Sequence, residues 1–421
     1  MKICKKPHLR WFVLALCLSV APAATAELSL QQAVELALTK NPTLKVYPLR
    51  LQAVAGKRQS AALNPAHTLE LEAENIAGSG ELSGTKNAEY TLSIGSIIEL
   101  GGKRASRVVL ADTRYALANA EREAAAVDLI ALVTKRFISV LGLQHLVSLA
   151  ENAHALAKST AAIVAERSSR GAAPEADKLR ADADLAQASL RLQNLRSKLE
   201  AGKLGLAILW GDEQPRFNAV HGDLFNIVEA PPFDVLYQQV SSSPMLDILA
   251  TEQRMIEADL ELIRSQSSAD VAWRLGVRRD QTSGDSSLTA GISVPLFSGR
   301  RNRGNLDAAY AEHKQQAYRR DDAELRLRAR LYDAWQTYRQ SRASVETLRT
   351  KILPALEVAQ QQTRQAYEQG RYRYTDWVAA QREYLDGRRN LIAAATTALQ
   401  NQTLIEQLTA TPLSPEVSYE N

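Results

Sequence analysis

The polar residues of this chain are placed for electrostatic work and not for bond-making. His67, His145, His154, His221 and His313 are scattered without paired spacing, and no cysteine accompanies them, so they compose no recognisable metal-ligand set. Gly101-Gly102-Lys103-Arg104 could be mistaken for the end of a phosphate loop. Ile97, however, stands where that loop's first glycine belongs, and Arg104 where a Ser or Thr would bind magnesium. The segment reads instead as a strand-to-helix turn. With no G-x-S-x-G, no H-E-x-x-H and no glycine-rich nucleotide loop, neither an enzyme nor a cofactor or metal site is expected. What does recur is charge at fixed intervals. Glu70, Glu72 and Glu74 alternate along one segment, Arg274 and Arg278 share one face of another, and Asp177 and Asp376 each follow a glycine, Gly171 or Gly370, by six residues.

The elements that must position these groups are long helices and short strands. Residues 28–63 are helical in pattern, with a break at Asn41-Pro42, and Asn64-Pro65 ends them. In 66–99, Leu69, Leu71 and Ala73 oppose Thr68, Glu70, Glu72 and Glu74; after a loop, Tyr90, Leu92 and Ile94 continue the alternation, which predicts an antiparallel hairpin. From Lys103 to about Ser169 there is no proline and little glycine, which predicts one helix roughly 100 Å long at 1.5 Å per residue. A returning helix from Pro174 carries Leu185, Ala188, Leu192, Leu195, Leu199 and Leu206 in heptad register, and residues 211–232 read as a loop-rich linker.

The plan then starts again. A second hairpin at 270–297 sets Val271, Trp273, Leu275 and Val277 against Arg274 and Arg278, with Pro295 marking its end. Ser298-Gly299-Arg300-Arg301 answers Gly101-Gly102-Lys103-Arg104, and Gly370 with Asp376 answers Gly171 with Asp177, each offset by about 200 residues. Leu327, Leu331, Ala334, Tyr338, Ser341, Val345, Leu348 and Ile352 form one coiled-coil seam, and Val378, Leu385, Ile392 and Leu399 another. Pro354 is expected to kink the first of these helices at a belt. Gly370 ends it, Tyr372 to Tyr374 make an aromatic, basic turn, and Thr375 or Asp376 caps the returning helix, giving a rigid, exposed tip. Two repeats, 27–210 and 233–411, with tips near 171 and 370, precede a short tail, 412–421.

Residues 1–26 read as an export signal. Lys2, Lys5, Lys6 and Arg10 precede an apolar run, and Ala24-Thr25-Ala26 suits cleavage; Leu16 before Cys17 argues against lipid attachment. This segment holds four of the 51 Lys and Arg, none of the 47 Asp and Glu, and both cysteines, Cys4 and Cys17. The mature chain is therefore formally neutral and free of thiols, and a nucleic-acid partner has no electrostatic motive.

Each half supplies two strands, and four strands cannot close. An open sheet in lipid would leave unpaired backbone at its edges, so copies of the chain must pool their strands into a barrel. Glu70, Glu72, Glu74, Arg274 and Arg278 would then line a polar lumen, while the aliphatic residues, Trp273 and Tyr90 meet lipid. At this point LSLQQAVELALTKNPTL, SVPLFSGRRNRGNL and ILPALEVAQQQTRQAYEQGRYRYTDWVAAQREYL are similar to the recurring segments of TolC-like outer-membrane efflux proteins, and IELGGKRASRV, Ile98 to Val108, is similar to the CzcC-like heavy-metal branch.

The resemblance implies an α+β membrane protein. A homotrimer would form a twelve-stranded outer-membrane barrel, four strands per protomer, continued by an α-helical coiled-coil tunnel through the periplasm of a Gram-negative cell. Its tips would dock on a periplasmic adaptor and an inner-membrane pump of the resistance-nodulation-division type, with cobalt, zinc or cadmium ions as cargo. The resemblance also places gating at the tips, where Asp177 and Asp376 would form threefold carboxylate rings near Arg371, Arg373, Tyr372 and Tyr374. The second carboxylate that relatives carry one turn later is replaced here by Ala379. Drug efflux or type I secretion on the same fold, or a secreted structural coiled coil, are the competing readings.

Overall fold

The computed structural model describes residues 27–240 and 243–413. The export signal with its two cysteines, and nearly all of the tail, lie outside the described residues. The chain opens with β1 (Glu27–Ser29) and α1 (Leu30–Lys40), joined by a reciprocal cap in which Ser29 Oγ accepts from Gln32 N at 3.2 Å and Gln32 Oε1 accepts from Ser29 N at 3.0 Å. Asn41 closes α1 and opens α2 (Pro42–Ala61), its side-chain oxygen accepting from Thr43 N at 2.8 Å and Leu44 N at 3.2 Å. Proline at the first position of α2 sacrifices no helical hydrogen bond, so the break falls there.

Then come β2 (Thr68–Glu74), β3 (Glu89–Ile98), α3 (Lys103–Ser169) and α4 (Glu175–Ala207). The turn into α3 uses Gly101 and Gly102, both at positive φ; a Cβ on Gly101 would lie 2.4 Å from Ser268 Oγ. Lys103 is buried there, its Nζ donating to Ser268 O at 2.8 Å and to Asp270 Oδ1 at 2.6 Å, which leaves no phosphate cradle.

Residues 211–232, expected as a loop-rich linker, contain β4 (Ala219–His221), which pairs in parallel with β1, and bury Phe217, Val220 and Leu224. Three-residue strands carry too little alternation to be read from sequence. The second half runs α5 (Phe233–Gln239), α6 (Pro244–Ser265), β5 (Val271–Asp280), β6 (Ser286–Ser293), α7 (Ser298–Thr347), a π turn (Leu348–Ile352), α8 (Leu353–Glu368) and α9 (Tyr374–Thr409). Among the described residues no helix is long and apolar enough to cross a membrane.

The expected seam of α7 is buried from Leu327 through Val345, but it does not continue to Ile352, which is 40% exposed. Leu353 takes the buried place instead. Pro354 cannot donate to the carbonyl of Thr350, and the wider π turn just before it adds one residue to the repeat, shifting the seam by one. The proline, expected to kink the helix, is accompanied here by a shift of register.

The four longer strands form one antiparallel sheet in the order β2-β3-β5-β6. Its register stacks Leu71, Leu92, Val277 and Leu288 in one row and Glu72, Thr91, Arg278 and Ser287 in the next. The aliphatic row is open, with Leu71 73% and Leu288 87% exposed. A contiguous apolar sheet face left bare in this way must have an apolar partner. The helices pack elsewhere: Val133, Phe137, Val140 and Leu141 of α3 meet Val34, Trp210, Val220 and Ile392 in one core, and Leu331, Tyr338, Leu236 and Ile405 form another.

Candidate gate at the hairpin tips

Gly171 and Gly370 sit at φ +73° and +74°, so each hairpin ends in the left-handed turn that glycine adopts without steric cost. Arg371, Tyr372 and Arg373 are exposed at the second tip. Tyr374, expected in the same exposed turn, is instead buried and begins α9. Its hydroxyl donates to Asp184 Oδ2 of α4 at 3.1 Å, and Arg382 Nη2 donates to Asp184 Oδ1 at 2.7 Å. One carboxylate thus ties the first hairpin to the second.

A second contact lies beside it. Arg167, at the end of α3, donates through Nη1 to the carbonyls of Tyr367 (3.2 Å) and Glu368 (3.1 Å) at the end of α8, and its guanidinium lies 4.9 Å from the centre of the Tyr367 ring. They lie at a helix end, where carbonyls lack intrahelical partners; Tyr367 O also accepts from Gly370 N at 2.9 Å, and a cation there complements the helix dipole. Tyr367 stacks on Trp377 with ring centres 4.9 Å apart, over Ala161, Val164 and Ala181. Below them Gln381 Nε2 donates to Thr160 Oγ1 at 3.2 Å, a buried cross-helix bond.

Burial raises the Tyr374 hydroxyl well above the ordinary tyrosine range, with the adjacent Asp184 charge adding to it; burial likewise raises Tyr367. Both remain neutral donors. Yet Tyr367 Oη, Trp377 Nε1 and Arg167 Nε are buried without a hydrogen-bond partner. A polar cluster satisfied only in part is held weakly, because each unpaired group gains a partner when water enters.

The two expected carboxylates behave differently from each other. Asp376 is exposed, and its Oδ2 accepts from Arg373 N at 3.1 Å, so it fastens the first turn of α9 from the third position; neither it nor Thr375 is the N-cap, which is Arg373. Asp177 is partly buried, 3.7 Å from Arg180, and its charge acts on both Tyr367 and Tyr374. Sequence reasoning missed Asp184, although it stands one heptad after Asp177. Asp184, Tyr374 and Arg382 also line a cleft of about 790 Å³ between α3, α4 and α9.

At the other end of the molecule the expected lumen residues share one sheet face. Arg274 lies 3.2 Å from Glu70, and Arg278 lies 3.2 Å from Glu74 and 2.9 Å from Glu89. Glu72 lies between Glu70 and Glu74 on β2, in one row with Thr91 and Arg278. Among the described residues no group of three or more His, Cys, Asp or Glu could hold a metal ion.

A lipid-compatible strand panel carrying two long helical hairpins, which pack on each other along α3 and α9 and are latched at their far ends, is the build of an outer-membrane channel protomer. The chain belongs to the outer membrane efflux protein family, which it matches over residues 33–212 and 243–411. It is 28% identical to the cobalt-zinc-cadmium resistance protein CzcC of Cupriavidus metallidurans over 91% of this chain and 90% of that one. To the nickel-cobalt-cadmium resistance protein NccC of Alcaligenes xylosoxydans xylosoxydans it is 25% identical, over 69% and 65% of the two chains. Its fold matches the crystal structure of CusC with a TM-score of 0.77 at 16% identity, over 90% and 91% of the chains. The protein is thus an outer-membrane component, and its fold is that of the efflux channels.

Proposed function

We propose that three copies of this chain form the exit duct of a tripartite efflux system for heavy-metal cations, with energy supplied by an inner-membrane pump through a periplasmic adaptor. The observation that carries this reading is the strand panel, whose apolar face is bare, whose opposite face is charged, and whose edge strands β2 and β6 lack partners among the described residues. Copies that share strands satisfy the edges, bury the aliphatic rows in lipid and turn Glu70, Glu72, Glu74, Arg274 and Arg278 toward water. The two repeats, 27–210 and 233–411, then supply the two similar halves of each protomer's third of wall and tunnel. The names of the curated relatives support a cobalt, zinc, cadmium or nickel cargo. The scattered histidines agree with a duct, where tight binding would stop transport.

The tip is the gate in this reading. The Asp184 link and the Arg167 cap hold the hairpins together when the duct is closed, and exposed Arg371, Tyr372 and Arg373 meet the adaptor that releases them. Deleting the gene and measuring cobalt, zinc, cadmium and nickel tolerance beside a dye panel tests the cargo. Lost metal tolerance, restored by the wild-type gene, is expected; unchanged tolerance with raised dye sensitivity would move the protein to drug efflux. Mass measurement in mild detergent tests the assembly, and a monomer would end the barrel.

A further inference from the structure

Both strand-to-helix junctions carry a glycine followed by two cations, Gly102-Lys103-Arg104 and Gly299-Arg300-Arg301, but they differ in how those cations are paired. At the first, every cation is engaged: Lys103 with Asp270, Arg104 Nη1 with Asn64 Oδ1 at 2.9 Å, and Arg107 with Glu99. At the second, Arg300, Arg301 and Arg303 are exposed and have no acidic partner among the described residues. Immediately before them Leu296 and Phe297 are 71% and 76% exposed. Phe297, the residue that precedes α7, sits at φ 62°, a left-handed backbone unusual for a bulky residue. Trp273 lies at this same end of the sheet, paired with Ile292 on its apolar face.

Apolar and aromatic side chains followed at once by unpaired guanidiniums form an interfacial sequence: the rings suit the boundary of the hydrocarbon, and the arginines reach the phosphate layer. We infer that Leu296, Phe297, Arg300, Arg301 and Arg303 form a binding collar for anionic phospholipid headgroups of the leaflet facing the helices. The collar rests on the barrel reading, since it continues the apolar sheet face into the headgroup layer. Its ligand is the phosphodiester of an acidic lipid, because guanidinium matches phosphate geometry and a net negative headgroup keeps its charge unbalanced. At the first junction Asp270 and Glu99 balance Lys103 and Arg107, and Arg104, held to the neutral Asn64 amide, is the one cation whose charge is unbalanced, so the preference there is weaker.

The test uses the full protein reconstituted in phosphatidylcholine bilayers containing either brominated phosphatidylglycerol or brominated phosphatidylcholine. Quenching of Trp273 is read as the emission lost in Trp273→Phe. Brominated phosphatidylglycerol is expected to quench at a several-fold lower mole fraction, and three cations at roughly five-fold each bound the preference at about a hundred-fold. R300Q/R301Q/R303Q should abolish it with oligomer and conductance intact, R300K/R301K/R303K should keep most of it, and inorganic phosphate at matched ionic strength should not compete. Equal quenching by the two lipids in the wild type overturns the collar. So does dissociation of the glutamine variant, which would assign the arginines to contact between copies. Failure to insert into any bilayer would instead refute the barrel, and the collar with it.

Discussion

Replacing Asp184 with alanine removes one carboxylate and both bonds that tie α4 to α9. The Tyr374 hydroxyl is buried, so losing its acceptor costs the closed state about 1–3 kcal/mol. The Arg382 arm is worth less, because that side chain is 65% exposed and water screens the pair; about 0.2–1 kcal/mol is appropriate. Together they give about 2 kcal/mol per chain. If three tips open together the effect approaches about 6 kcal/mol, comparable with the ~5.5 kcal/mol that moves an equilibrium from 1:99 to 99:1. Single-channel recording in planar bilayers reads this directly. D184A should spend most of its time open, Y374F should open less often than D184A, and R382A should resemble the wild type except at low salt, where screening is weak. The double variant D184A/Y374F should open less often than D184A, because phenylalanine removes the buried hydroxyl whose lost acceptor carries most of the cost. Wild-type gating in D184A, from a channel of unchanged oligomeric state, would refute the latch.

Three further outcomes follow from particular side chains. Burial raises the Glu406 carboxyl above its ordinary range, so the folded form holds its proton longer than the unfolded chain; the stability linked to that proton is present in acid and lost as pH rises through the folded value. Glu406→Gln should therefore raise the melting temperature at neutral pH, with the gain vanishing below the ordinary glutamate range in matched melts. Leu353→Ala should cost about 2–4 kcal/mol and Ile352→Ala under about 1 kcal/mol in denaturant unfolding, the reverse of what an uninterrupted heptad gives. Asp177→Ala should raise conductance through its place beside Tyr367 and Tyr374, whereas Asp376→Ala should loosen the start of α9 by about 1 kcal/mol and leave conductance nearly unchanged. Equal conductance gains from both would favour the carboxylate rings over this division of roles.

Periods of two and seven were legible because solvent and a neighbour impose them along a whole element. They located β2, β3, β5 and β6, the faces of Glu70 and Arg274, and the seam from Leu327 to Val345. The left-handed tip glycines were legible too, since few other residues tolerate that backbone. What escaped was anything decided between elements: Asp184 and Tyr374 stand 190 residues apart, and no local pattern joins them. Pro354 announced a disturbance, but whether a helix answers a missing donor by bending or by adding a residue depends on which side chain the core then accepts, here Leu353. β1 and β4 pair over three residues each, too few to show a period.

The same limit explains the exposed aliphatics that one chain cannot account for. Leu179 and Leu190 of α4 are 62% and 58% exposed, on a helix whose seam residues pack on α3, and the strand panel has bare edges at β2 and β6. A helix face and a sheet edge have different chemistry, so a single foreign partner would need two unrelated surfaces to cover both. A second copy needs no such coincidence. In the proposed ring the next protomer brings β2 to β6 and its own helices to α4 in one movement, so the strand edges and the helical flanks are two ends of one interface.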